Sequence, residues 1–116
     1  LDLLRAGKSA PDALRGLLGA DVSCEVRQVA MIDPAGRVAT FTGAHDIQAA
    51  GGTASGGTAQ QLPCGSAGGS FTTGKDFAAQ ANLMSNDKVW PAMAKPYGDA
   101  HGDLADRLLP APDAAQ

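Results

Sequence analysis

The sequence predicts an α+β fold in a single domain of 116 residues. Three observations carry that expectation. Leucines recur at helical spacing in the first twenty residues, an alternating hairpin pattern fills residues 26–43, and a strand-like run followed by helical spacing occupies residues 75–109. Between them lies a glycine-rich stretch with neither period.

Leu1, Leu3 and Leu4 suggest a short helix ended by Gly7, a residue that tolerates the left-handed conformation of a helix end. Ser9 then opens a second helix. Asp12 stands three residues on, a capping-box spacing with Asp in place of Glu or Gln, and Pro11 fits the first turn. Leu14, Leu17 and Leu18 form its apolar face, and Gly19 ends the run.

Residues 26–33 and 37–43 read as two strands joined by Asp33-Pro34-Ala35-Gly36, where Pro presets φ and Gly accepts φ > 0. Val29 and Met31 share one face, Ala30 and Ile32 the other. On the second strand Val38 sides with Thr40, and Ala39 with Phe41. Apolar groups on both faces place this hairpin in a sheet covered on both sides.

No charged residue occurs between Ile47 and Gly74, and residues 51–74 include eight glycines. Such a tract loses much backbone entropy on ordering and has few apolar groups to offset it. It is expected as a flexible loop or insertion over residues 44–74, although a structureless loop of that length is unusual inside a compact domain. Residues 77–84 suggest a third strand. Residues 89–97 look helical, with Pro91 in the first turn and Pro96 as the end. Residues 103–109 form a last short helix, stopped by Pro110 and Pro112.

The net charge of −3 argues against a nucleic acid or an anionic membrane as partner. No apolar run approaches the ~18 residues of a membrane helix, and no signal-peptide pattern is visible, which points to the cytoplasm. Cys24 and Cys64 make no disulfide framework and read as unpaired, incidental thiols. His45 and His101 are isolated loop histidines, so no metal site and no cofactor are expected. Adjacent strand residues face opposite sides, so His45 and Asp46 make a poor base–acid pair. Gly69–Lys75 fits the first seven positions of a phosphate-binding loop. Asp76 then replaces the required hydroxyl, and no hydrophobic strand precedes it. Gln80 and Asn82 are the candidate binding residues. Side-chain amides at a strand's end can orient a substrate or donate to an oxyanion, or simply satisfy loop backbone.

Four stretches resemble a bacterial family known as domain of unknown function 1028. Leu1-Asp2-Leu3-Leu4-Arg5-Ala6-Gly7, with Ser9-Ala10 and Ala13-Leu14, is similar to the family's paired helix. Arg27-Gln28-Val29-Ala30, Asp33, Gly36-Arg37-Val38-Ala39 and Phe41-Thr42-Gly43 resemble its central hairpin, the most specific piece. Ala79-Gln80-Ala81-Asn82-Leu83-Met84 resembles its Gln-Gly-Asn segment, with Ala81 in place of the Gly. Val89, Ala92-Met93-Ala94 and Gly102-Asp103-Leu104-Ala105-Asp106-Arg107-Leu108-Leu109 resemble its following helices.

That family in turn resembles the N-terminal-nucleophile hydrolases. The resemblance implies a four-layer αββα sandwich of which these residues are the middle. It also implies hydrolysis of a small-molecule or peptide amide, with a possible homo-oligomer. The nucleophile of such enzymes is the side chain of their first residue. Leu1 has neither hydroxyl nor thiol, so this chain is expected to be a fragment that is inactive alone. The alternative is a non-catalytic binding or structural module of the same fold.

Overall fold

The computed structural model describes residues 1–110. Its elements, in chain order, are α1 (Asp2–Arg5), α2 (Ala10–Ala20), β1 (Gln28–Ile32), β2 (Arg37–Gly43), β3 (Gly51–Ala54), β4 (Thr58–Leu62), β5 (Gly69–Lys75), β6 (Ala78–Ala81), α3 (Val89–Asp99) and α4 (Leu104–Leu108), with a short 3₁₀ turn at Cys24–Val26. The fold is α+β with antiparallel sheets. One sheet has the order β1-β2-β5-β4, and a second pairs β3 with β6.

Helix α2 begins as its sequence requires. Ser9 Oγ accepts from the Asp12 amide at 3.1 Å, and Pro11 sits in the first turn. Its buried stripe is Ala10, Ala13, Leu14 and Leu18, and the helix runs one residue past Gly19. The stripe packs against Ala39 and Phe41 of β2 and Phe71 of β5, with Val29 and Met31 alongside. Phe41 and Phe71 stand directly opposite each other across the β2–β5 ladder. A second anchor joins these layers. The buried Asp33 carboxylate, in the β1–β2 turn, accepts from the Ala10 amide at the start of α2, from the amides of Ala35 and Arg37, and from Arg37 Nε at 2.7 Å.

The opposite face of β2 presents Val38, Thr40 and Thr42 to the second sheet, so β2 is buried on both faces. Strand β3 lies against β2 and β5, and α3 packs on the far side of β3 and β6. Gln28 stitches the two sheets together. Its Nε2 donates to Thr42 Oγ1, to Gly51 O and, at 3.0 Å, to Ala81 O.

Three sequence expectations are corrected here. The glycine-rich tract is not a flexible loop: it supplies β3, β4 and β5, and β5 is paired along its whole length with β2. Its backbone groups are satisfied by ladders to distant strands, which no local period reveals. Its glycines also permit close approach. A β-carbon at Gly51 would overlap the Trp90 indole, and one at Gly69 would overlap the Phe41 ring. Secondly, Cys24 and Cys64 are not free thiols. They form a disulfide, with Cα atoms 5.7 Å apart, between the 3₁₀ turn and the β4–β5 connection. Thirdly, Pro96 lies inside α3 rather than ending it. Proline forfeits one helical hydrogen bond there, and the turn beyond it is kept by others, including the Ala100 amide to Pro96 O. The hairpin forms as the sequence indicates, with two differences: β1 starts at Gln28 because Cys24–Val26 is helical, and only β2 is covered on both faces, Ala30 and Ile32 of β1 being exposed. Pro112, the second expected helix stop, lies outside the described residues.

Two tests follow from these anchors. Burial pushes the Asp33 carboxyl up, but the hydrogen bonds from Ala10, Arg37 and Ala35 outweigh it and hold the group below its ordinary value of 3.8. Asp33 therefore contributes stability that is fully present above its unfolded pKa and is lost as pH falls through the folded one. Thermal melts between about pH 5 and pH 2 should show wild type losing stability steeply, and Asp33→Asn should start lower and change less over that range. A disulfide closing a 40-residue separation stabilises by about 4 kcal/mol in the chain-entropy account. Denaturant unfolding with and without a thiol reductant, and of Cys64→Ser, should both show a loss of that order.

Candidate functional site

Sheet β3–β6 has two strands and the sheet it covers has four. The inner face of β1 is consequently left uncovered: Ala30 and Ile32 are exposed, Ile32 by 54%. A cavity of about 510 Å³ opens at this position, floored by β1 and β2 and walled by β6 and α3, with α4 at its rim. Ile32, Val38, Phe77, Met93 and Leu108 make it apolar, and Gln80 and Tyr97 bring the polar groups.

Phe77 and Tyr97 meet edge to face with centroids 4.6 Å apart, which fixes α3 against the start of β6. The Arg107 guanidinium lies over the Tyr97 ring at 4.3 Å, a cation–π contact that joins α4 to α3.

Gln80 and Asn82, paired in the sequence reading, take separate roles. Gln80 lines the cavity, and its Oε1 is buried without a hydrogen-bond partner. Asn82 turns to a different neighbour: its Nδ2 faces both carboxylate oxygens of Asp46, at 3.4 and 3.5 Å. Asp46 is buried and also accepts from the Ile47 amide at 2.8 Å. These contacts tie the segment after β2 to the segment after β6, where Leu83 donates to Ile47 O and Ala49 and Met84 exchange backbone hydrogen bonds. Asn82 therefore lies at a loop junction, and Gln80 lies at the wall of the cavity.

His45 is exposed while its neighbour Asp46 is buried, so the two do not act together. His101 is also exposed. Gly69–Lys75 is strand β5, bonded on one side to β2 and on the other to β4, so its amides serve the sheet. Among the described residues no three of His, Cys, Asp or Glu gather as metal ligands, and no helix is long and apolar enough to cross a membrane. Sequence reasoning missed Tyr97 and Phe77 as parts of the cavity. Their separation in the chain hides the contact, and spacing along α3 alone gives no sign of it.

The Asp46–Asn82 contact is testable. Asn82→Ala should destabilise by about 1 kcal/mol and speed hydrogen exchange at Ala49, Leu83 and Met84 selectively. Protection in the β2–β5 ladder should stay unchanged.

No curated protein matches the chain. Among solved structures it is similar to the crystal structure of protein SPO2555 from Silicibacter pomeroyi, of family DUF1028, with 24% identity and a TM-score of 0.65. That likeness extends over 96% of this chain and 41% of the other, so the chain spans less than half the length of its structural relative. At this identity the likeness speaks to the fold. The sequence itself matches the family described as Family of unknown function (DUF1028) over residues 1–116, and the chain belongs to that family.

Proposed function

We propose that these residues are the middle of a hydrolase-like protein of the N-terminal-nucleophile type, and that they supply scaffold and a binding cleft for an amide substrate. The observation that carries this reading is the layer order. Helix α2, the four-stranded sheet, the two-stranded sheet and α3 lie against one another in succession, which is the order of an αββα sandwich. The cleft opens between the two sheets, beside β6, and it is there that Gln80 offers a carboxamide. Small-molecule sites favour such largely apolar concavities with few polar groups.

Among the described residues that line the cleft, none carries a thiol or an aliphatic hydroxyl. Cys24 is closed in a disulfide and buried, so it has no thiolate to attack with. In this reading the attacking hydroxyl or thiol and its amine base belong to a longer polypeptide. The buried disulfide supports an oxidising compartment in place of the cytoplasm expected from the sequence.

The test compares the 116-residue chain with the longest open reading frame that contains it, on a panel of small-molecule and peptide amides. The chain alone should show no turnover. The longer protein should hydrolyse at least one amide, and replacing its mature first residue by Ala should abolish that. Absence of turnover from the longer protein, or turnover indifferent to its first residue, overturns the reading.

A further inference from the structure

Two glutamines face the space between the sheets, and they are treated differently. Gln28 spends its amide on Thr42, Gly51 and Ala81. Gln80, next to last in the opposing strand β6, leaves Oε1 buried and without a partner among the described residues. Its cross-strand neighbour is Gly52, which has no side chain to donate. A β-carbon at Gly52 would lie 3.2 Å from Gln80 Cβ and 3.1 Å from Thr40 Oγ1, so the strand carries glycine where anything larger would crowd this corner. A buried acceptor left unpaired is costly, and an alanine at position 80 would remove that cost without harming the sheet.

Among the described residues that line the cavity beside Gln80, no side chain is charged at neutral pH. An ion entering it would give up its hydration with no counter-charge in contact. Its size of about 510 Å³ suits a ligand with one or two rings. We propose that this cavity binds an uncharged, predominantly apolar molecule bearing one N–H or O–H group, and that Gln80 Oε1 accepts from that group. The inference does not rest on the hydrolase reading, since it concerns a ligand and not a bond to be broken.

Indole and benzofuran make the probe pair. They share size and shape, only indole donates a hydrogen bond, and neither contains an amide, so the result is independent of any hydrolysis test. Titrated into the isotope-labelled full chain and followed by NMR, indole should shift the resonances of Ala79, Gln80 and Tyr97 and bind about tenfold more tightly than benzofuran. Gln80→Met should erase that preference and leave benzofuran binding in place. Ala94→Phe, which fills the cavity, should weaken both.

Equal affinity for the two probes in wild type overturns the donor requirement, and this comparison needs no variant to fold. Tighter binding of indole-3-carboxylate than of indole overturns the requirement for a neutral ligand, Arg107 near Tyr97 being the cation that would then be responsible. Absence of indole binding, or binding unaffected by Ala94→Phe in a folded variant, overturns the site itself.

Discussion

The Asp33 carboxylate adds a buried hydrogen bond between two layers that otherwise meet through apolar packing and the Arg15 guanidinium over the Phe71 ring. It sits in the β1–β2 turn, yet it also accepts from the first amide of α2. A helix start leaves amides without intrahelical partners, and a carboxylate there meets both the free donor and the positive end of the dipole. The same carboxylate takes the Ala35 and Arg37 amides and the Arg37 side chain. The turn and the helix entry are thus fixed against each other by one group. That sets the register in which Leu14 and Leu18 descend onto Ala39, Phe41 and Phe71. The Arg37 guanidinium is half exposed, so its ion pair contributes less than the buried amide bonds do.

From that anchored sheet the two faces diverge in character. Toward α2 the contact is mostly apolar, leucines of the helix on Phe41 and Phe71. Toward the second sheet β2 offers Thr40 and Thr42, with Thr72 beside them on β5, all buried. A polar layer between sheets is stable only where its groups are paired. Gln28 does that pairing at one end, bridging both sheets through Gly51 and Ala81. At the other end the layer gives way to the apolar cavity, and Gln80 Oε1 is left unpaired there.

Much of the α2 side was legible in the sequence because its signals are local. The Ser9 cap, the leucine spacing and the Asp33–Gly36 turn act over a few residues, and each appears where its chemistry demands. The glycine tract was illegible for the opposite reason. Thr72 is paired with Thr40 and Ala59, and Phe71 with Phe41 and Gln60; these ladders join strands that share no pattern. Low apolar content argued for disorder, but the tract orders by lending backbone to the sheet and by adding Phe71 and Cys64 to the core it shares with β2 and α2. The disulfide was hidden likewise, its two cysteines being 40 residues apart with nothing between them to mark a pair. Of the two amides suggested as a site, Gln80 was readable as a polar side chain on a strand. Asn82 was not, because its partner Asp46 belongs to the other end of the loop junction.

The cavity is a consequence of strand count. A sheet face packs best against a second sheet of similar width, and here two strands cover four. The second sheet sits over β2 and β5, where Gln28 and the threonines can reach it, and so β1 overhangs. Ala30 and Ile32 are the exposed residues on that overhang, and both line the cavity. The apolar surface that a ligand would use is therefore the same surface that a wider second sheet would bury. A strand paired to β6 and laid across Ile32 and Val38 would take the volume a small ligand needs. Such a strand would also bring its own backbone amides toward Gln80, whose acceptor is idle in these residues. The hydrolase reading and the ligand reading thus meet at one side chain, Gln80, whose buried carboxamide oxygen has no partner among the described residues.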